Sequence, residues 1–271
     1  MFRKLFRHHP ALVQFMVRTV RRTIQLPISV YAACICFFIL LAIFPTVILI
    51  CAVLRSVGIS TGSLLLAVRP FLPQPLFPLA RELMEGFFSA RSIPTLSLTA
   101  LLALWSASRG IYGIMLGLNA ICGFTDQRSF IQKRLICLSY LSITLLSLPA
   151  VLAAHMMGYA LLHRAGILIP LLQYAGSIVI LALVFTGIYR TFPAKKLRLR
   201  ACFYGSLLTS FLWQLFTALF SLYALHARTY STFYGSLRFC ALGLLWLYFC
   251  MMILLWGGFF SAEIHERYSS H

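Results

Sequence analysis

Six stretches of this chain are apolar for long enough to cross a bilayer, near residues 27–54, 96–122, 135–162, 167–189, 201–226 and 237–262. A hydrocarbon core of about 30 Å takes roughly 20 helical residues at 1.5 Å each. Inside it every backbone N–H and C=O needs an internal partner, so long apolar runs can only be helices. Apolar residues make up 61% of the 271 and charged residues 10%, with a mean hydropathy of +0.91. A water-soluble globule of this size does not have that composition. The expected fold class is therefore all-α, a polytopic membrane protein in which residues 1–271 form one membrane domain with six transmembrane helices. The longest connection, 55–95, is too short and too apolar to be a soluble domain.

A formal charge of +18 on a soluble chain would suggest a nucleic-acid surface, but here the cations collect at the ends of apolar spans. Taking alternate segments, the residues before the first span, those between the second and third and between the fourth and fifth, and the tail hold fifteen Lys or Arg; the other connections hold seven. By the positive-inside rule both termini are expected in the cytoplasm, and no nucleic-acid partner is implied. The amino terminus lacks the pattern of a removable signal peptide, so the first span reads as an uncleaved anchor. Ahead of it, Leu12, Phe15, Met16 and Val20 among arginines fit a basic amphipathic helix over 1–26, lying on anionic headgroups; a solvated tail that only enforces orientation fits as well.

Chemistry is sparse. The eight cysteines fall within or at the ends of apolar spans and form no C-x-x-C pair. Cys34 and Cys36 would point about 200° apart on a helix, so packing rather than metal binding is expected. Glu82, Glu85, Asp126, Glu263 and Glu266 are the only carboxylates, fewer than a two-metal nuclease needs. No catalytic triad, glycine-rich phosphate loop or H-E-x-x-H is present, so neither an enzyme nor a cofactor is expected. His155 is the one histidine well inside a span, suited to packing or to a weak ligand contact.

The exception is Arg109, centred in the second span within Trp105-Ser106-Ala107-Ser108-Arg109-Gly110. An arginine at mid-membrane costs roughly 2.5–3.5 kcal/mol on insertion scales, and its default reading is functional. Ser106, Gly110, Gly113 and Gly117 share a helical face, a small-residue stripe for close helix packing either inside the monomer or across a homodimer. Asn119, ten residues beyond Arg109, lies about 15 Å further along the helix and lines the same groove at another depth. In 55–95, Pro70, Pro73, Pro75 and Pro78 interrupt an apolar run, which reads as an interfacial or re-entrant hairpin ending in an amphipathic helix over 79–88. Glu82 and Glu85 on that helix are either partners of Arg109 or solvated acids. Pro45 and Pro149 mark expected helix kinks.

Several features in combination resemble the YihY/virulence factor BrkB family of bacterial inner-membrane proteins. They are Phe44-Pro45, the Trp105-to-Gly110 run followed by Asn119, and a tyrosine with Pro193 after the fourth span. Gly205, Trp213, Tyr234-Gly235-Ser236-Leu237, Trp246-Leu247-Tyr248 and the late Gly-x-x-x-x-Ala-Glu complete the set. The chain departs from the usual pattern at Arg238-Phe239 and at Ser261. The resemblance implies a multi-pass protein of the bacterial cytoplasmic membrane, involved in moving lipid or another envelope component. The family's older ribonuclease label finds no support in the carboxylates. From the residues, the expected function is binding of an anionic amphiphile, with membrane lipids as partners, and its transport is what the resemblance implies. Arg109 would be the head-group ligand in a cavity, and Asn119, Gln214, Tyr234 and His155 weaker contacts. The alternative is a structural scaffold of the cell envelope, working as a homo-oligomer or with an envelope protein partner.

Overall fold

The structure is a computed structural model that describes residues 26–56, 71–89, 94–143, 168–226 and 237–269, together with residues 58, 60, 62, 64, 65 and 69. Among the described residues every regular element is a helix. In chain order these are α1 (Ile28–Ser56), a 3-10 turn at Gln74–Leu76, α2 (Phe77–Ser89), α3 (Pro94–Ile121), α4 (residues 130–143), α5 (Leu168–Thr191), α6 (Leu199–His226) and α7 (Leu237–Ser269). Leu199–Ala224 and Cys240–Tyr268 are long and apolar enough to cross a membrane. The basic segment 1–25, most of the expected third span and Pro149 lie outside the described residues. α7 continues as helix through Glu263, His265 and Arg267, beyond the expected end at Ala262. A helix needs no apolar environment to propagate once its preceding turns are packed, so its end and the end of hydropathy differ.

Small residues set how the helices cross. α1 and α3 form the most extensive pair. On α3, Gly110 sits over Ile39, Gly113 over Ile35, and Gly117 against Ile35, Tyr31 and Leu255 of α7. This seam is internal to the chain. A second close crossing joins α6 to α7. Gly205 faces Ser261 and Gly257 faces Thr209, so that each glycine receives the other helix's hydroxyl residue. Thr209 and Ser261 turn those hydroxyls back onto their own helices, donating to the Gly205 and Gly257 carbonyls at 2.7 and 2.9 Å. Tyr189 of α5 closes the junction by donating to the Leu254 carbonyl at 2.8 Å, with its hydroxyl 2.9 Å from that of Thr209. Leaving these polar atoms unpaired in an apolar core would cost about 1–3 kcal/mol each, so the pairing fixes the register.

The proline-rich connection returns to the bundle. Pro73 is buried, and Leu76 of the 3-10 turn packs over Gly243 of α7. α2 starts with Pro78 in its first turn, where a missing N–H costs no helical bond, and packs on α1.

Candidate functional site

Helix α3 presents two unlike faces. The glycine face is consumed by α1. Around the other side Trp105, Arg109, Leu116 and Ala120 are exposed and Tyr112 is half-buried, a stripe at the 100° advance of an α-helix. Arg109 is therefore exposed, on the flank of α3 away from the glycine seam, and the enclosed cavity that its sequence position had suggested does not form around it among the described residues. The reason is geometric: it lies well off the glycine seam, and the seam decides which face turns inward. No hydrogen bond or ion pair among the described residues reaches its guanidinium.

A second guanidinium joins this stretch, one that the sequence placed among the topology-setting loop charges. Arg134 of α4 folds back so that its Cζ lies 4.2 Å from the centre of the Trp105 ring, and its Nη1 donates to Ser108 Oγ at 2.5 Å. Its Nε is buried without a hydrogen-bond partner. Ser108 and Arg109 are consecutive, so Arg134 of α4 joins Arg109 and the Trp105 indole along two turns of α3. Stacking on an indole face is worth about 0.5–1 kcal/mol at an exposed site and more when desolvated. Nothing local in the sequence signals this contact, because it depends on how the loop between α3 and α4 aims the new helix.

That loop is held by a polar latch centred on Asp126. Arg128 grips the carboxylate through Nε and Nη2 at 2.8 and 3.0 Å, and its Nη2 also donates to the Phe192 carbonyl at 2.7 Å. Lys133 approaches to 3.8 Å and donates to the Asp126 carbonyl. Asn119, 4% exposed, accepts from the Ala194 N–H at 2.7 Å and donates to Asp126 at 3.4 Å. The latch thus ties the end of α3 to the connection between α5 and α6. That connection is fastened in turn to α7, since the Arg198 N–H donates to His265 Nδ1 and its guanidinium to the Tyr268 carbonyl. Burial pushes the Asp126 carboxyl up, but the hydrogen bonds and charge of Arg128 and the charge of Lys133 outweigh it and hold the group below its ordinary value. A pocket of about 250 Å³ opens beside the latch, lined by Tyr112, Leu116, Asn119, Phe124 and Lys133 among others.

The remaining expected site residues lie apart from Arg109. Gln214 is buried and donates to Ser177 across the α5–α6 contact at 2.8 Å. Glu85 accepts from Arg81 one turn earlier on α2 at 2.7 Å, both side chains being solvent-facing, and Glu82 is exposed. Neither forms an ion pair with Arg109 among the described residues. Tyr234, His155 and the side chain of Ser106 lie outside the described residues. No group of three or more His, Cys, Asp or Glu able to hold a metal occurs among the described residues.

The profile of the family described as virulence factor BrkB matches residues 19–271, nearly the whole chain. The chain belongs to that family. Among its relatives, a ribonuclease-like protein, YfkH, of Bacillus subtilis is 28% identical over 243 residues, covering 85% of this chain and 88% of its own length. A UPF0761 membrane protein of Chromobacterium violaceum is 27% identical over 65% of this chain. One from Legionella pneumophila is 23% identical over 95% of it. The chain spans 41% and 62% of the lengths of those two longer relatives. No solved structure matches the chain. With these relatives and its long apolar helices, this BrkB-family chain is a membrane protein.

Proposed function

We propose that this protein binds an anionic membrane amphiphile, a phospholipid or another envelope lipid, with the Arg109 guanidinium as ligand for its phosphate, and carries it along the exposed face of α3. One observation carries the reading: a guanidinium at mid-helix in an apolar segment, turned outward and lacking a partner within the described protein. Five carboxylates exist in the chain, and the described ion pairs engage Glu85 with Arg81 and Asp126 with Arg128 and Lys133. An unpaired charge in hydrocarbon is expensive, and a lipid phosphate drawn to it offsets that cost. The planar fork of arginine matches two phosphate oxygens at once, and Arg134 beside Trp105 supplies a second cation of the same shape. The site opens sideways, as a ligand already dissolved in the bilayer requires.

The protein sits in the bacterial cytoplasmic membrane with six spans and both termini in the cytoplasm. In support, Arg128, Lys133, Lys195, Lys196 and Arg198 gather at the end of the bundle where Asn119 and Tyr268 meet the α5–α6 connection. No catalytic step forms part of this reading. Without a nucleotide-binding motif, movement is passive, ion-coupled or driven by a partner.

The test uses purified protein with phosphatidylglycerol, binding being read by native mass spectrometry. Arg109→Lys keeps the charge but loses the bidentate fork, worth about 1.4 kcal/mol or roughly tenfold in affinity. Arg109→Gln loses more, while both variants unfold thermally like the parent. Unchanged lipid retention in both variants overturns the proposal.

A further inference from the structure

Beyond the mid-helix site, the pocket beside the latch has the makings of a second lipid station. We propose that it binds the phosphate headgroup of one anionic phospholipid through Lys133, at the basic end of the same α3 face that carries Arg109. This deepens the function proposed above and rests on it for the identity of the ligand.

Charge is the first support. Asp126 is taken mainly by Arg128, at 2.8 Å against 3.8 Å for Lys133. Two cations therefore share one carboxylate, and a net positive charge is left at the pocket. The carboxylate itself has little capacity left, since Arg128 Nε and the Arg128 N–H occupy Oδ1 while Arg128 Nη2 and Asn119 occupy Oδ2. A zwitterion's amine would find no free acceptor there. Lys133 has three donors and, among the described residues, spends one on the Asp126 carbonyl. Lys195 and Lys196 follow Ala194, which Asn119 holds directly against this site, and add to the positive field.

Shape is the second support. Leu116, Ala120 and Phe124 give the pocket apolar lining, and Asn119, Asp126 and Lys133 give it polar lining, so it offers both kinds of surface. A volume of about 250 Å³ falls below that of typical drug-sized sites, which suits a headgroup with its tails left in the bilayer and not a whole lipid. A soluble phosphate would gain nothing from the apolar wall. Tyr112, Leu116 and Ala120 lie on Arg109's side of the helix, and Ala120 is about 16 Å from it along the axis. The two cationic stations therefore sit at different depths of one lateral track.

The experiment counts lipids on the purified full chain. With phosphatidylglycerol present, native mass spectra of the wild type should show two tightly retained lipids. Lys133→Gln and Arg109→Gln should each show one, and the double variant none. Lys133→Arg should restore the second lipid. Leu116→Trp, which fills the pocket and leaves every charge in place, should lose the same lipid as Lys133→Gln. If Lys133→Gln and Leu116→Trp both retain two lipids while Arg109→Gln loses one, the second station is refuted and the Arg109 reading stands. If only the Lys133 and Leu116 changes matter, the Arg109 reading falls and this station stands. Loss of the second lipid on adding inorganic phosphate at millimolar concentration would show a free-anion site and overturn the assignment to a lipid.

Discussion

Arg109 and Asp126 are opposite solutions to one problem, a charge close to hydrocarbon. Asp126 is neutralised inside the protein by Arg128 and Lys133, whereas Arg109 is exposed and has no ion pair among the described residues. The Asp126 latch has a measurable pH signature. Its native pKa is lowered, so its contribution to stability is fully present above the ordinary carboxylate value of about 3.9 and is lost as pH falls below that value through the native one. Asp126→Asn should therefore cost about 1.5–3 kcal/mol at neutral pH. The gap between the two proteins' thermal midpoints in detergent should hold steady from about pH 7 to pH 5 and close on further acidification. A gap independent of pH would contradict the latch. At this scale the sequence was partly legible. Arg109 and Asn119 stand out because each is a polar exception in an apolar run. Arg134, Asp126 and Lys133 do not, because they sit where charged residues are ordinary, and their importance comes from contacts that only the folded loop creates. Gln214 is ambiguous for the converse reason: a buried amide suits a ligand and a neighbouring helix equally, and in the structure it donates to Ser177.

Among the helices, the glycines decide which faces touch. The stripe Gly110, Gly113, Gly117 was readable from its spacing, and its partner α1 was not, since spacing names a face without naming what lies against it. The α6–α7 crossing left a fainter trace, because its complement is a glycine on one helix and a hydroxyl on the other. The two seams differ in tolerance. A methyl on Gly113 would meet Ile35 and Phe38 at ordinary contact distances of 3.5–3.7 Å. One on Gly257 would coincide with Thr209 Oγ1 and crowd the Tyr189 hydroxyl. Gly113→Ala should be neutral or stabilising by up to about 1 kcal/mol through helix propensity. Gly257→Ala should cost about 1–3 kcal/mol or more through overpacking. Tryptophan-fluorescence melts in detergent separate the two, and equal midpoints would mean the α6–α7 crossing is looser than described.

For the molecule as a whole, hydropathy revealed the class, all-α and membrane-embedded, because a bilayer imposes length and apolarity on each helix separately. It did not reveal that the basic connections are fastened to one another through Asn119, Arg198 and His265, or that α3 leaves Arg109 exposed. Sidedness is testable by labelling single cysteines placed at Lys195 and at Arg81 in a cysteine-free background. The first should react only from the cytoplasmic side and the second only from the opposite side, and reaction of both from one side would contradict the topology. The most direct test of the lipid reading is an experimental map of the protein in nanodiscs containing phosphatidylglycerol. Phosphate density within hydrogen-bond reach of the Arg109 guanidinium, with acyl density leaving sideways past α3, is the expected result. A guanidinium satisfied by the protein's own oxygens, with no headgroup density along that face, would contradict it.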